Sequence, residues 1–361
     1  YPGVTVTVGR NTAITLELQP AIEDVITVTS ESPLLDERKL STGTAITQVE
    51  LEKIPSARDP WAMLSQTPGV QVDRINVGGS ESGQQSGFRA AGVGSTQNDF
   101  QMDGVSITDM AATGSSPTYY DFDQFAEMSF TTGGTDVSKN TAGVQVNLIT
   151  KRGTNEFRGS ARFYNEDAKG YFGGALKQSQ PDFQSELNTA NGQTSLAGAS
   201  IRGIEDIGFE AGGAIVKDRF WLWGSWGQQD IKQNAATGTP DDTILENTSL
   251  KANGQLTAAN SLVGSWNNGD KLKFGRGAGT TRPRPTTWNQ RGPSAVYRAE
   301  DTHVFGSNFF LTGTYSHGDF GFALLAIGQS GDGLAAGELD PQNVDGVWGN
   351  NYLSGGSSRP Y

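Results

Sequence analysis

The residues that most often carry chemistry are scarce in this chain. Histidine occurs twice, at His303 and His317, and cysteine is absent. No nucleophile elbow, phosphate-binding glycine loop, dinucleotide fingerprint or zinc-protease helix occurs. His317 falls in an apparent turn, where a solvated side chain is the plainer reading. The carboxylate pairs Asp121/Asp123 and Asp241/Asp242 fall in loops. A two-carboxylate hydrolase needs a defined separation across a cleft, and nothing specific supports one. Asp332, Glu338, Asp340 and Asp345 form a glycine-rich acidic cluster that could offer oxygens to calcium. Their spacing is not that of an EF-hand loop, which favours a solvated loop. These residues predict no catalytic group, no cofactor and no metal.

The surrounding composition narrows the class. The chain has 361 residues with 48 glycines, and only 35% are hydrophobic. That balance suits strands, turns and polar loops better than a large helical core. A net charge of −12 argues against nucleic acid, since phosphate contacts need clustered Lys and Arg. No apolar run reaches the roughly 18 residues of a transmembrane helix; the longest stretches resemble Phe320 to Gly328. That says nothing against a β-barrel, whose strands alternate. The chain opens at Tyr1 inside strand-like sequence, so residues are expected to be missing upstream.

Val4 to Pro20 alternates around a Gly-Arg-Asn turn and reads as a hairpin. Ile22 to Pro33 reads as a β-branched linker. Thr47 to Glu50 is a capping-box pattern. Asp59-Pro60 opens a second short helix, which Pro68-Gly69 ends. Short strands follow at 69–73, 86–92, 99–107, 125–133 and 143–151. Asp103-Gly104 gives a tight-turn signal, and glycine- and serine-rich loops interrupt at 76–85 and 110–121.

From Phe157 the pattern changes. Phe157, Gly159, Ala161 and Phe163 share one face; Arg158, Ser160, Arg162 and Tyr164 share the other. Leu250, Ala252, Gly254 and Leu256 alternate likewise with Ser249, Lys251, Asn253 and Gln255. One apolar and one polar face fit a barrel with lipid outside, and equally an ordinary amphipathic sheet. Seven strands are expected, at 157–165, 208–216, 219–228, 248–257, 260–268, 308–316 and 319–328. Their connections alternate in length. The short ones are Lys217-Asp218, Ala258-Ala259 and His317-Gly318; the long ones are 166–207, 229–247 and 269–307. Putting every long loop at one end is the habit of outer-membrane barrels. Trp221, Trp223, Trp226 and Trp266 suit an interfacial girdle, and a soluble core equally well.

Three segments carry a family resemblance: Ile54 to Val70 (IPSARDPWAMLSQTPGV), Phe88 to Asp109 (FRAAGVGSTQNDFQMDGVSITD) and Thr131 to Tyr164, which ends NLITKRGTNEFRGSARFY. With Val216 to Trp226 (VKDRFWLWGSW), they make the chain similar to TonB-dependent outer-membrane receptors, in particular the Oar-like branch with an N-terminal carboxypeptidase-regulatory-like domain. The resemblance implies a mixed α+β plug domain followed by the N-terminal strands of an antiparallel transmembrane β-barrel, incomplete here and truncated at both ends. The implied division is 1–20, the end of a regulatory-like β-sandwich; 21–33, a linker; 34–153, the plug; and 154–361, the first part of the barrel.

The resemblance also implies partners and sites. The receptor would sit in the bacterial outer membrane against its lipid. It would move a siderophore, oligosaccharide or peptide, the extracellular ligand being unknown. Its plug would be gated when TonB, driven by an inner-membrane energising complex, pulls an N-terminal segment. Asp24, Val25, Ile26, Thr27, Val28 and Thr29 match such a TonB box; the recognition would be strand addition, and a structural linker strand is the competing reading. Arg89 stands where the family has an Arg-Gly pair facing barrel carboxylates, although Ala90 replaces the glycine. Glu127 matches an acidic plug position, and Lys151 and Arg152 a basic pair at the plug–barrel junction. Tyr119, Tyr120 and Asp121 are expected on an outward plug loop as ligand contacts. The competing class is a secreted β-rich adhesion or carbohydrate-binding protein.

Overall fold

A computed structural model describes residues 42–53, 58, 60–72, 87–90, 92–109, 113–134, 141–167, 200–234, 240–277, 287–306 and 308–326. The expected N-terminal hairpin, the linker with its TonB box, Asp59, most of the 76–87 loop and the acidic cluster after residue 330 lie outside those residues.

The first half is a small mixed sheet. β1 (Thr42–Thr47) leads into α1 (Gln48–Lys53), and the capping box forms: the Thr47 N–H and hydroxyl both donate to Glu50 Oε2 at 2.8 Å. α2 (Pro60–Leu64) is followed by a turn in which Gly69 takes φ +81°. The two-stranded sheet of β2 (Val70–Val72) and β3 (Phe88–Ala90) follows. β4 (Asp99–Met102), β5 (Val105–Ser106), β6 (Phe125–Gly133) and β7 (Gln145–Thr150) complete a five-stranded sheet in the order β1-β6-β7-β4-β5. The turn at Asp103-Gly104 has positive φ at both residues, as a two-residue hairpin loop of this type requires. Trp61, Met63, Leu64, Phe100, Met102, Phe125, Met128, Phe130 and Leu148 fill the core. Trp61 meets Phe88, Phe100 and Tyr120 within 5.7–6.2 Å.

The second half is a long antiparallel sheet. β8 (Arg158–Asp167), β9 (Ser200–Val216), β10 (Phe220–Asn234), β11 (Asp242–Thr257), β12 (Asn260–Arg276), β14 (Ser294–Phe305) and β15 (Phe309–Phe320) pair in sequence. The short β13 (Trp288–Arg291) joins β12 and β16 (Ala323–Ala326). Among the described residues the sheet does not close.

Alternation decides the faces. Leu250, Trp266, Tyr297 and His317 form one cross-strand row, and Ala252, Gly264, Ala299 and Tyr315 the next. That outer face lies bare: Phe157 is 81% exposed, Phe163 65% and Tyr315 68%. The opposite face carries Ser225, Thr243, Asn247, Ser249, Lys251 and Asn267, all buried. An apolar face without a second protein layer over it is opposite to a soluble sandwich, whose apolar faces pack together. It counts against the adhesion reading.

Four expectations need correction. The strands are longer than expected: β9 and β12 reach 17 residues, taking in sequence read as long loops. Their extensions carry charge on both faces, which hides the alternation. The His317-Gly318 turn does not exist; both residues lie inside β15, and the turn falls at Gly306, with φ +71°. β14 was missed because Arg298, Glu300 and Asp301 interrupt its apolar pattern. Finally, Trp223 is buried on the inner face, whereas Trp226 lies against Phe209 outside, the rings tilted by 33°. The turns at Lys217-Asp218 and Ala258-Ala259 stand where expected.

Candidate functional site: the charged seam between plug sheet and barrel strands

Charge on the inner strand face meets charge on the first sheet at three places. The densest centres on Arg162, which alternation in β8 turns inward. Its Nε donates to Asp206 Oδ1 of β9 at 2.8 Å, Nη1 to Asp123 Oδ2 at 2.7 Å and Nη2 to Asp121 Oδ1 at 2.8 Å. Asp121 caps a 3-10 turn, Phe122–Gln124, and accepts there from the Asp123 N–H at 3.2 Å. Arg58, just before α2, approaches the same carboxylates. It donates Nη1 to Asp123 Oδ1 at 2.9 Å and Nε to Asp206 Oδ2 at 3.0 Å, and sits 3.7 Å from Asp121. Its guanidinium also lies 5.2 Å from the Tyr164 ring centroid. Each arginine thus bridges the two halves.

Burial sets the electrostatics. The Asp121 and Asp206 side chains are 3% and 7% exposed. Burial raises Asp121 above the ordinary carboxylate range, and Arg162 offsets part of that rise. Burial also opposes ionisation of Asp123, but the hydrogen bond and charge of Arg58, with Arg162 and Lys151, bring it below its ordinary value. Space is made by Gly227 in β10. A Cβ there would stand 2.6 Å from Arg162 Nη2 and collide with Asp121 Oδ2.

The second contact is Lys251 of β11. Its Nζ donates to Asp103 Oδ1 at 2.9 Å, Thr150 Oγ1 at 3.0 Å and the Thr150 carbonyl at 3.2 Å. Asp103 also accepts from the Thr150 N–H and hydroxyl, so the tight turn, β7 and β11 are tied together. In the third, Lys151 Nζ meets Glu210 Oε1 of β9 at 2.7 Å. Just beyond, Asn155 Oδ1 accepts from the Asp218 N–H at 3.0 Å and Trp221 Nε1 at 2.7 Å, holding the start of β8 against the β9–β10 turn.

The expected site residues divide. Lys151 makes a cross-seam pair. Arg152 is exposed. Arg89 lies exposed in β3 rather than buried against barrel carboxylates; strand alternation points Phe88 and Ala90 to the core and Arg89 away. Glu127 is half-buried, paired through its backbone with Thr47 and Ile149. Tyr119, Tyr120 and Asp121 are all buried, which corrects their expected place on an exposed contact loop. The Tyr120 hydroxyl donates to Ser116 Oγ at 2.5 Å. Tyr119 lies under Lys271 Nζ, 4.6 Å from its ring centroid, and burial pushes its hydroxyl up to about 12. Arg58, Arg162, Asp206 and Lys251, and the seam role of the turn residue Asp103, were not legible as site features from sequence. The inward parity of Arg162 and Lys251 was the one signal available.

Among the described residues no cluster of three or more His, Cys, Asp or Glu side chains could hold a metal ion, and no helix is long and apolar enough to cross a membrane.

Residues 37–145 match the family model described as TonB-dependent Receptor Plug Domain. Over 270 residues the chain is 26% identical to the TonB-dependent transporter Oar of Myxococcus xanthus, covering 71% of this chain and 23% of that protein. The fold is similar to the outer membrane transporter YddB from Escherichia coli, with a TM-score of 0.59 and 13% identity, over 79% of this chain and 40% of that one. It is also similar to the ferric enterobactin receptor PfeA from Pseudomonas aeruginosa, with a TM-score of 0.56 and 13% identity, over 78% and 41%. The chain therefore spans about a quarter of the curated relative's length.

Proposed function

This chain belongs to the TonB-dependent receptor family, as a plug domain with the barrel strands that follow it, and from that premise we propose that the whole protein moves a large solute across the bacterial outer membrane. Its family is one of transporters rather than enzymes. The observation that carries the reading is the two-faced strand wall. Among the described residues its apolar side is bare, as a lipid-facing wall requires, and its polar side bonds to the plug through Arg162, Lys251 and Glu210.

A plug held by hydrogen-bonded ions is well suited to gating. Buried apolar contacts slide with little change in direction, whereas ion pairs are fixed in geometry and break as units. The Arg58–Arg162 cluster acts as a latch: seated, it closes the lumen beside β8 and β9; pulled from the N-terminal side, it opens. TonB supplies the pull by pairing with Asp24, Val25, Ile26, Thr27, Val28 and Thr29, a β-branched run suited to strand addition. The solute is a siderophore, an oligosaccharide or a peptide. Solved receptors of this fold named for ferric enterobactin and alcaligin support the first class. In this reading Tyr119 to Asp121 report on the ligand from beneath the outward loop rather than touching it, and Arg89 and Arg152 face water.

The test uses the full-length receptor in cells. Val25→Pro removes a backbone donor from the added strand. It should abolish energised uptake while leaving ligand binding at the cell surface unchanged. Undiminished uptake would remove the assigned box.

A further inference from the structure

The latch contains three carboxylates and two guanidinium groups: Asp121, Asp123 and Asp206 against Arg58 and Arg162. With all five ionised, one negative charge is left over inside a seam largely closed to water. Asp121 is the carboxylate least provided for. Its Oδ1 accepts from Arg162 and from the Asp123 N–H, while its Oδ2 is buried with no hydrogen-bond donor. An unmet acceptor on a buried anion is costly.

The charged neighbours are few. Arg58 and Asp123 face Asp121 from the plug, Arg162 from β8 and Asp206 from β9. Lys151 acts on Asp123 through space and is itself paired with Glu210. From β10 and β11 come only uncharged groups, Gly227, Gln228, Gln229, Leu245 and Asn247, which line a small cleft beside Asp121. Asn247 Oδ1 is likewise buried without a donor. A proton on Asp121 Oδ2 would neutralise the cluster and turn one unmet acceptor into a donor facing a cleft that holds another.

We propose that the seated latch takes up one proton from solvent, on Asp121, and that this proton sets how firmly the plug is held. The proposal rests on the latch reading above. Burial raises Asp121 in the seated plug relative to a released, hydrated one. Through Asp121, seating is therefore favoured down to the ordinary carboxylate value and weakens as pH rises through the raised one; Asp123, held below its ordinary value, opposes seating only in stronger acid than that. Each unit between the two values changes the seating equilibrium about tenfold. Mild acid should tighten the plug and alkali loosen it.

The experiment places a nitroxide on a single cysteine at Thr113, exposed ahead of Asp121, in the full-length receptor in outer-membrane vesicles. Spin-label mobility is followed from acid to alkaline pH. The parent should show a mobile fraction that grows severalfold with pH along one titration. Asp121→Asn, which copies the neutral carboxyl, should flatten that curve at the immobile level. Arg162→Met should be mobile at every pH. A flat parent curve, or an unchanged titration in Asp121→Asn, overturns the proton while leaving the latch standing. An immobile Arg162→Met overturns the latch itself. The parent curve decides the matter even if the asparagine variant does not assemble.

Discussion

Replacing Arg162 with methionine keeps the apolar stem of the side chain and deletes its five donors. Three of the lost bonds, at 2.7–2.8 Å, reach Asp121, Asp123 and Asp206, and Arg162 itself is 10% exposed. Arg58 would be left alone with three carboxylates. Breaking a buried pair by removing one partner costs about 3–5 kcal/mol, because the remaining charge is uncompensated. At 1.4 kcal/mol per tenfold, the loosened plug should rise in population by roughly a hundredfold or more. Arg158 supplies the control on the same strand. Its pair with Glu156 is just as short, 2.6 Å, but both side chains are 74% exposed. Solvent screens such an exposed pair, so Arg158→Met should change little. Hydrogen exchange of residues 113–124 in the full-length receptor, read as local opening, separates the two. Equal and small effects at both positions would refute the argument that burial, not charge pairing as such, makes the latch.

Two further substitutions probe the same seam by different physics. Lys251→Met strips Asp103 and Thr150 of a buried donor, 8% exposed, and should loosen the 103–104 turn and β7 by about 3–5 kcal/mol; exchange at Thr150 checks it. Gly227→Ala adds a methyl group where Arg162 Nη2 would stand 2.6 Å away, and should spread the latch at a cost of about 1–3 kcal/mol, read from the same 113–124 protection. If Gly227→Ala is neutral, the cluster has slack that the packing does not suggest.

Much of the fold was legible because strand alternation has a period of two and each strand reports its own faces. FRGSARFY puts Phe163 and Arg162 on opposite faces of one strand, and the structure turns Phe163 outward and Arg162 inward. Asp103-Gly104 and Thr47 to Glu50 were equally readable, since a turn and a cap are made by neighbours in the chain. β14 was not: Asp301 falls on the outer face, opposite Leu262 and Gly313, and with Arg298 and Glu300 on the inner face the apolar alternation is lost. The tyrosines misled for a related reason. A polar, glycine-rich context suggested an open loop around Tyr119 and Tyr120, but besides nearby Phe125 the burial there comes from Trp61 and Lys271, which lie far away in sequence.

Local pattern thus determined which side chains share a strand face and where several of the tight turns fall, because backbone geometry and near neighbours dictate those choices. It could not decide which charges meet. Arg58 and Asp206 are 148 residues apart, as are Asp103 and Lys251, and their meeting depends on how the plug sheet docks on the strand wall and on the register of β8 against β9. Slipping that register by one residue would turn Arg162 to the outside. The latch is therefore a property of long-range pairing, which only the folded chain specifies.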